Sequence, residues 1–168
     1  VHKASRYGLM AGGGGDAFYP ANQAIRAHVI QTIYNLAGRP LVEYSDAFTD
    51  VRQDAEHANA VSWALQNGVL TESPDGLFSP MEPTPREAVI LYLYRYLGSP
   101  EADADWLKGF ADADAVSDDA RNAMAWAAQE EILVVENEKL RPADAVTRAE
   151  LASMLVRVYE KYVADPGA

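Results

Sequence analysis

The chain has no cysteine and is short of cations: 14 lysines and arginines stand against 25 aspartates and glutamates in 168 residues. Without cysteine there is neither a disulfide framework nor a thiolate metal site, a composition that suits an exported protein avoiding stray thiols. The formal net charge of −11 argues against nucleic acid, whose binders need a basic face. No segment approaches the roughly 18 apolar residues of a membrane span, so membrane insertion is not expected. No leader segment is visible either, and the abrupt start inside a repeated unit reads as a fragment or processed form. The three histidines, His2, His28 and His57, lack metal-ligand spacing. The acidic stretch from Asp103 to Asp119 does not fit the spacing of a helix–loop–helix calcium site, which needs a central glycine and a terminal glutamate, and reads as solvated linker. Gly12–Gly15 is not followed by Gly-Lys-Ser/Thr, so it reads as a permissive loop and not a phosphate cradle.

What is present is apolar content of 49%, ample for a core in one compact domain or a short array, and a long-period repeat. Tyr7-Gly8-Leu9-Met10, Phe18-Tyr19-Pro20, Arg26 and Gly38-Arg39-Pro40 recur sixty positions on. There they read Asn67-Gly68-Val69-Leu70, Phe78-Ser79-Pro80, Arg86 and Gly98-Ser99-Pro100. A third copy, about sixty-two later, keeps Ile132-Leu133, Leu140-Arg141-Pro142 and Arg148. Such self-similarity means one supersecondary unit used three times, each copy burying its apolar face on its neighbours. The units are placed at 1–40 (partial at its start), 41–100 and 101–163, with a tail at 164–168.

Each unit reads as helix, loop, helix. In the second, Asp54 is available to cap an Ala-rich helix with Ala58, Val61 and Leu65 on one face, and Gly68 is placed to end it. Ser73-Pro74-Asp75-Gly76 carries turn chemistry, with Phe78 closing the loop. Thr84-Pro85-Arg86-Glu87 then reads as a helix start carrying Val89, Leu93, Tyr96 and Leu97. In the third unit, Ser117 is the cap of the first helix, and Thr147-Arg148-Ala149-Glu150 is a full capping box. The shared core is expected to hold Val29, Ile33, Val61, Leu65, Val89, Leu93, Leu151 and Leu155. Nothing alternates as a sheet would, so the protein is mainly α. Trp63 and Trp126 read as core. Tyr94 is either a sugar-stacking ring or interface packing.

Together these landmarks resemble the S-layer homology (SLH) domain. Its pattern is met by Phe48-Thr49-Asp50-Val51, Gly68-Val69-Leu70, Asp75-Gly76-Leu77-Phe78-Ser79-Pro80 and Thr147-Arg148-Ala149-Glu150. The resemblance implies an all-α array of three helix–loop–helix repeats around a pseudo-threefold axis, with grooves between adjacent repeats. It also implies a module at the bacterial cell surface that binds cell-wall polysaccharide, in many cases a secondary wall polymer bearing an anionic pyruvate ketal. The family's binding arginine falls at Arg26, Arg86 and Arg148, with Asp75 and Gly76 shaping a loop. Departures are plain. Glu56 and Asp119 stand where the family has a tryptophan, Pro85 replaces the threonine, and Ile25-Arg26-Ala27-His28 has no capping box. Glu131 replaces the glycine, and the third unit lacks the Asp-Gly loop.

An arginine at a helix start is mismatched with the macrodipole, so its recurrence invites a reason. One reason is a bidentate donor for a ligand carboxylate, aided by free N–H groups at the helix start. Another is a hydrogen-bonded tie to a loop or neighbouring unit. Charge gives a further pointer. Residues 1–40 carry Lys3, Arg6, Arg26 and Arg39 against Asp16 alone, whereas residues 41–100 sum to −6 and 101–168 to −8. A basic unit on an acidic body can focus an anion, although scattered surface charge yields the same sums. The favoured groove is therefore expected to involve Arg26 and Arg86, with Arg148 in a second groove. No repeated motif gathers an acid, a base and a nucleophile, so the chain reads as a non-catalytic anchoring module without cofactor or metal. The alternative is a degenerate array serving as a spacer or protein–protein interaction module of a larger surface protein.

Overall fold

A computed structural model describes residues 2–11 and 18–164; the Gly12–Gly15 run and most of the tail lie outside them. Among the described residues the fold is all-α, with isolated bridges and no strand. The helices are α1 (His2–Arg6), α2 (Arg26–Leu36), α3 (Ala58–Gln66), α4 (Arg86–Tyr96), α5 (Arg121–Gln129) and α6 (Arg148–Val158). A π-helical turn, Tyr159–Val163, extends α6, and short 3₁₀ turns fill the link before α5.

The second helices α2, α4 and α6 all begin on an arginine, after Ile25, Pro85 and Thr147 in extended conformation. Thr147 and Glu150 form the expected reciprocal box. The helix start at Thr84 differs from expectation: the N-cap is Pro85, with no side-chain cap. Pro85 has neither an N–H nor a side-chain acceptor to offer, and the third helical residue is Ala88, so no box can close there. Glu87 instead accepts the Ser117 N–H at 3.0 Å, which ties the second repeat to the third. The opening helices also start later than expected. His57, not Asp54, precedes α3, and the exposed Asp54 pairs with Arg52. Ser117 leads a 3₁₀ turn, Asp118–Ala120, without a side-chain cap, and α5 follows.

Helix ends depend on the left-handed region. Gly8, Gly38, Gly68 and Gly98 take φ of 70, 81, 69 and 82° after α1 to α4. After α5 the same place falls to Glu131 at φ 57°, which costs a side-chain-bearing residue steric strain.

Helices pack across the repeats. α2 lies on α3, α4 on α5, and α6 on α1, while α2 also meets α4 and α6. Trp63 sits between Tyr34 and Tyr96, with ring centroids 5.6 and 6.0 Å away. Trp126 sits the same way between Tyr94 and Tyr162, at 5.7 and 6.2 Å. At the last junction Tyr7 stacks on Tyr159 at 4.6 Å. Of the expected core, Val29, Ile33, Val61, Val89, Leu93, Leu151 and Leu155 are buried; Leu65 is half-buried.

The segments leading into α2, α4 and α6 meet in a closed circle of backbone hydrogen bonds. Thr84 N donates to Ala24 O at 3.0 Å, Ala24 N to Val146 O at 2.9 Å, and Val146 N to Thr84 O at 2.9 Å. Because every repeat completes another, the array should melt in one transition, and calorimetry showing separate transitions would refute this. Leu93→Ala, at a fully buried site, should cost about 2–5 kcal/mol in denaturant titrations. Glu131→Gly should raise stability by about 1 kcal/mol through relief of the left-handed backbone.

Candidate functional site

The three helix-leading arginines point away from their own repeats and into the loop of the next. Arg26 Nη1 donates to Phe78 O at 2.7 Å. Arg86 Nε donates to Leu140 O at 3.1 Å and Nη2 to Val134 O at 2.9 Å. Arg148 closes the circle, with Nε to Phe18 O and Nη2 to Ala11 O, both at 2.9 Å. The first two helical N–H groups are spoken for as well. Those of Arg26, Arg86 and Arg148 donate to Glu82, Asp144 and Asn22, and those of Ala27, Glu87 and Ala149 to Pro80, Pro142 and Pro20. The free N–H groups expected at the helix starts are therefore occupied by neighbouring loops.

A pair of aspartates missed by the sequence reading holds these loops in shape. Asp50 accepts the N–H groups of Phe78 and Ser79, each at 2.8 Å, and Asp112 accepts those of Leu140 and Arg141, each at 2.8 Å. The carboxylate thus fixes the peptide whose carbonyl the preceding arginine reads. Its signal was the Phe-x-Asp element at a sixty-two residue spacing. Asp75 works within its own loop, accepting from Ser73 and from the Leu77 N–H at 3.0 Å. The Ser73 hydroxyl, then the Leu77 amide, hold its carboxyl below the ordinary range. Gly76 turns at φ 71° and its carbonyl receives the Thr49 N–H at 2.9 Å.

Arg26 and Arg86 lie in different clefts. The first, about 240 Å³, holds Arg26 against the loop shaped by Asp75 and Gly76, with Phe78, Tyr92 and Arg95 around it and Asp119 at its edge. The second, about 200 Å³, holds Arg86, Arg141, Lys139, Glu136 and Glu150. Their electrostatics diverge. Arg86 is only 2% exposed, and its Nη1 contacts Glu150 Oε1 at 2.7 Å, which Arg141 also reaches at 2.9 Å. Burial pushes the Glu150 carboxyl up, but the Thr147 hydrogen bonds and the two guanidinium charges outweigh it and hold it below its usual range. Arg26 is half-buried, its Nε has no hydrogen-bond partner, and one Nη makes its tie. Among the described residues neither Arg26 nor Arg95 has a carboxylate within 4.0 Å. Arg148 is 8% exposed and sits 4.8 Å from the Phe18 ring.

Arg95 and Tyr92 were also missed. A signal existed for the first, because Asn35, Arg95 and Arg157 recur in register. Each donates to a carbonyl at the end of its repeat's opening helix, at Leu9 (3.1 Å), Val69 (3.5 Å) and Glu131 (2.6 Å). Tyr94 is interface packing: its hydroxyl donates to Pro100 O at 2.7 Å and its ring meets Trp126. Among the described residues no group of three His, Asp or Glu is placed to hold a metal ion, and no helix is long and apolar enough to cross a membrane.

Comparison with known proteins agrees with this architecture. The chain is 30% identical over 151 residues to an amylopullulanase of Thermoanaerobacterium thermosulfurigenes, covering 87% of this chain and 8% of that enzyme. It is 27% identical over 148 residues to the exoglucanase XynX of Acetivibrio thermocellus, covering 86% of this chain and 14% of the enzyme. The chain thus spans a small part of either relative. The S-layer homology domain profile matches residues 47–89 and 109–152, more than half of the chain. With its repeated loops, arginine-led helices and tandem order, the chain belongs to the S-layer homology domain family.

Proposed function

We propose that this chain is a non-catalytic anchoring module on a bacterial surface, which binds an anionic, pyruvate-bearing cell-wall polysaccharide in the cleft between its first and second repeats. The carrying observation is Arg26, a half-buried guanidinium lining a cleft, with one nitrogen committed to Phe78 O and no carboxylate within 4.0 Å among the described residues. A carboxylate entering there meets Arg26 and, across the cleft, Arg95. Charge-assisted and bidentate hydrogen bonds are the strong ones. Phe78, Leu77 and Leu91 offer an apolar wall beside the charge, suited to a ketal methyl group and sugar faces. Asp75 and Gly76 act by shaping the loop. Arg86 and Arg148 lie on the same circuit: Arg86 gives all three nitrogens to two backbone carbonyls and Glu150, and Arg148 gives Nε and Nη2 to two carbonyls. In this reading they hold the array together, with repeat boundaries at 40/41 and 100/101. The enzymatic names of the relatives do not transfer, since this chain matches only a small share of each.

A second reading, an array that serves as a spacer or protein–protein module, is favoured by those same committed arginines. Sedimentation with purified cell wall, before and after the wall polymer is stripped, separates the two. Calorimetry against a pyruvylated disaccharide tests the cleft directly. Arg26→Ala should weaken binding by roughly 1.5–3 kcal/mol, with a smaller fall in melting temperature than Arg86→Ala, because it gives up one tie where Arg86 gives up three. Arg26→Lys should also bind poorly, because an ammonium cannot reproduce the planar fork. Arg86→Ala should instead melt early, losing about 3 kcal/mol as Glu150 and two loop carbonyls lose their donor. Wild-type protein that ignores the disaccharide, or Arg26→Ala that binds it normally, overturns the proposal.

A further inference from the structure

The Arg26 cleft holds one more charged group, the carboxylate of Asp119. All three repeats contribute to its lining: Arg26 comes from the first, Phe78, Tyr92 and Arg95 from the second, and Asp119 from the third. Arg26, Tyr92 and Arg95 are half-buried, whereas Asp119 is exposed at the edge. Among the described residues no cation lies within 4.0 Å of Asp119, so its charge is not spent on an ion pair.

The segment that carries Asp119 is nonetheless held in place. Glu87, in the first turn of α4, accepts the Ser117 N–H at 3.0 Å, and Ala120 on the other side is buried. The 3₁₀ turn Asp118–Ala120 therefore lies fixed against α4, the helix that also supplies Tyr92 and Arg95. The arrangement recurs. Glu56 stands just before α3 as Asp119 stands just before α5, and the charges of Glu56 and Arg148 both act on His28. A carboxylate from one repeat thus comes near the helix-leading arginine of another at a second place in the ring.

Cations within and an acid at the mouth suit a ligand with unlike ends. A carboxylate is drawn to Arg26 and Arg95 and repelled by Asp119, while an ionised aspartate accepts hydrogen bonds through both oxygens and donates none. Neighbouring hydroxyl groups of a sugar ring are donors of that kind. The cleft, at about 240 Å³, falls below the roughly 300–1,000 Å³ of sites for drug-sized ligands, a size fit for one substituted sugar.

We propose that Asp119 is a specificity-determining residue of the Arg26 cleft, accepting hydrogen bonds from free ring hydroxyls of a sugar whose pyruvyl carboxylate lies against Arg26 and Arg95. The proposal deepens the anchoring reading and rests on it. The guanidinium end reads the anion, and the aspartate end reads the sugar that carries it. A small acid such as pyruvate meets the first end alone.

The test is calorimetry on the intact chain with pyruvate, a pyruvylated disaccharide, and monodeoxy analogues of that disaccharide. Asp119→Ala should weaken the disaccharide by roughly tenfold, as loss of a charge-assisted hydrogen bond implies, and leave pyruvate unchanged or slightly tighter. Asp119→Asn keeps one acceptor oxygen without the charge and should fall between. At least one deoxy analogue should bind the wild type about tenfold more weakly than the parent, yet bind Asp119→Ala as the parent does, the non-additivity expected of two groups in contact. Both variants should melt with the wild type, since no ion pair is lost. The role of Asp119 is overturned if Asp119→Ala binds the disaccharide normally or more tightly, if no deoxy analogue shows that non-additivity, or if pyruvate and disaccharide weaken alike in a variant that melts early. Wild-type protein that ignores the disaccharide brings down the anchoring reading and this proposal together. Wild-type binding that is lost in Arg26→Ala but untouched in Asp119→Ala overturns this proposal alone.

Discussion

The structure depends on a single recurring hydrogen bond, from the arginine at the start of each second helix to a loop carbonyl of another repeat. Arg26 to Phe78, Arg86 to Leu140 and Arg148 to Phe18 form one circuit, and the last member joins the two ends of the chain. An open stack of three repeats leaves a terminal face uncovered and needs a cap. Here the circuit removes the terminal faces. The short α1 has too few residues to hold itself as a helix in water, yet it is kept in place by α6, with Lys3 and Tyr7 both on Glu160.

The circuit also explains why cations stand where helix dipoles disfavour them. Each arginine reaches beyond its own helix to carbonyl oxygens, whose partial negative charge compensates the unfavourable helix end. The N–H groups that make a helix start attractive to anions are taken by carbonyls of the neighbouring loop. Anion binding by dipole and amides alone is thereby closed off. The guanidinium groups differ in how they make their ties, and the difference is geometric. Arg86 and Arg148 each use Nε and Nη2 on two carbonyls, whereas Arg26 meets its carbonyl through Nη1 and leaves Nε without a partner.

Much of the fold was legible because its signals are local. Repeat spacing located the helices, Gly68 and Gly98 marked their ends, and Thr147 with Glu150 formed its box as written. Errors arose where a tertiary bond outcompeted a local one. Thr84 looked like a cap, but its backbone N–H and carbonyl belong to the central circle, and the helix starts one residue later, after Pro85. Asp54 and Ser117 had the right chemistry for caps and the wrong register, since the chain stays in turns for several further residues. The site was less legible still. Arg26, Arg86 and Arg148 align perfectly in sequence, and nothing in the alignment distinguishes a half-buried guanidinium with a spare donor from one that is 2% exposed. That distinction is made by residues from other repeats, whose proximity no spacing rule reveals.

Identical scaffolds with unequal clefts follow from this arrangement. The arginine tie tolerates variation beside it, because its carbonyl partner is backbone and cannot be mutated away. The third helical position varies while the circuit is kept. Alanine, glutamate or histidine can each stand there without breaking the circuit, yet each sets a different charge against the facing guanidinium. Glu150 pairs with Arg86; Ala88 sets no charge against Arg26; His28, whose pKa is pushed down by its own desolvation and then by Arg148, resists taking up a positive charge. Assembly thus rests on one arginine per repeat, while the charge set against that arginine is decided by a neighbouring side chain that differs from repeat to repeat.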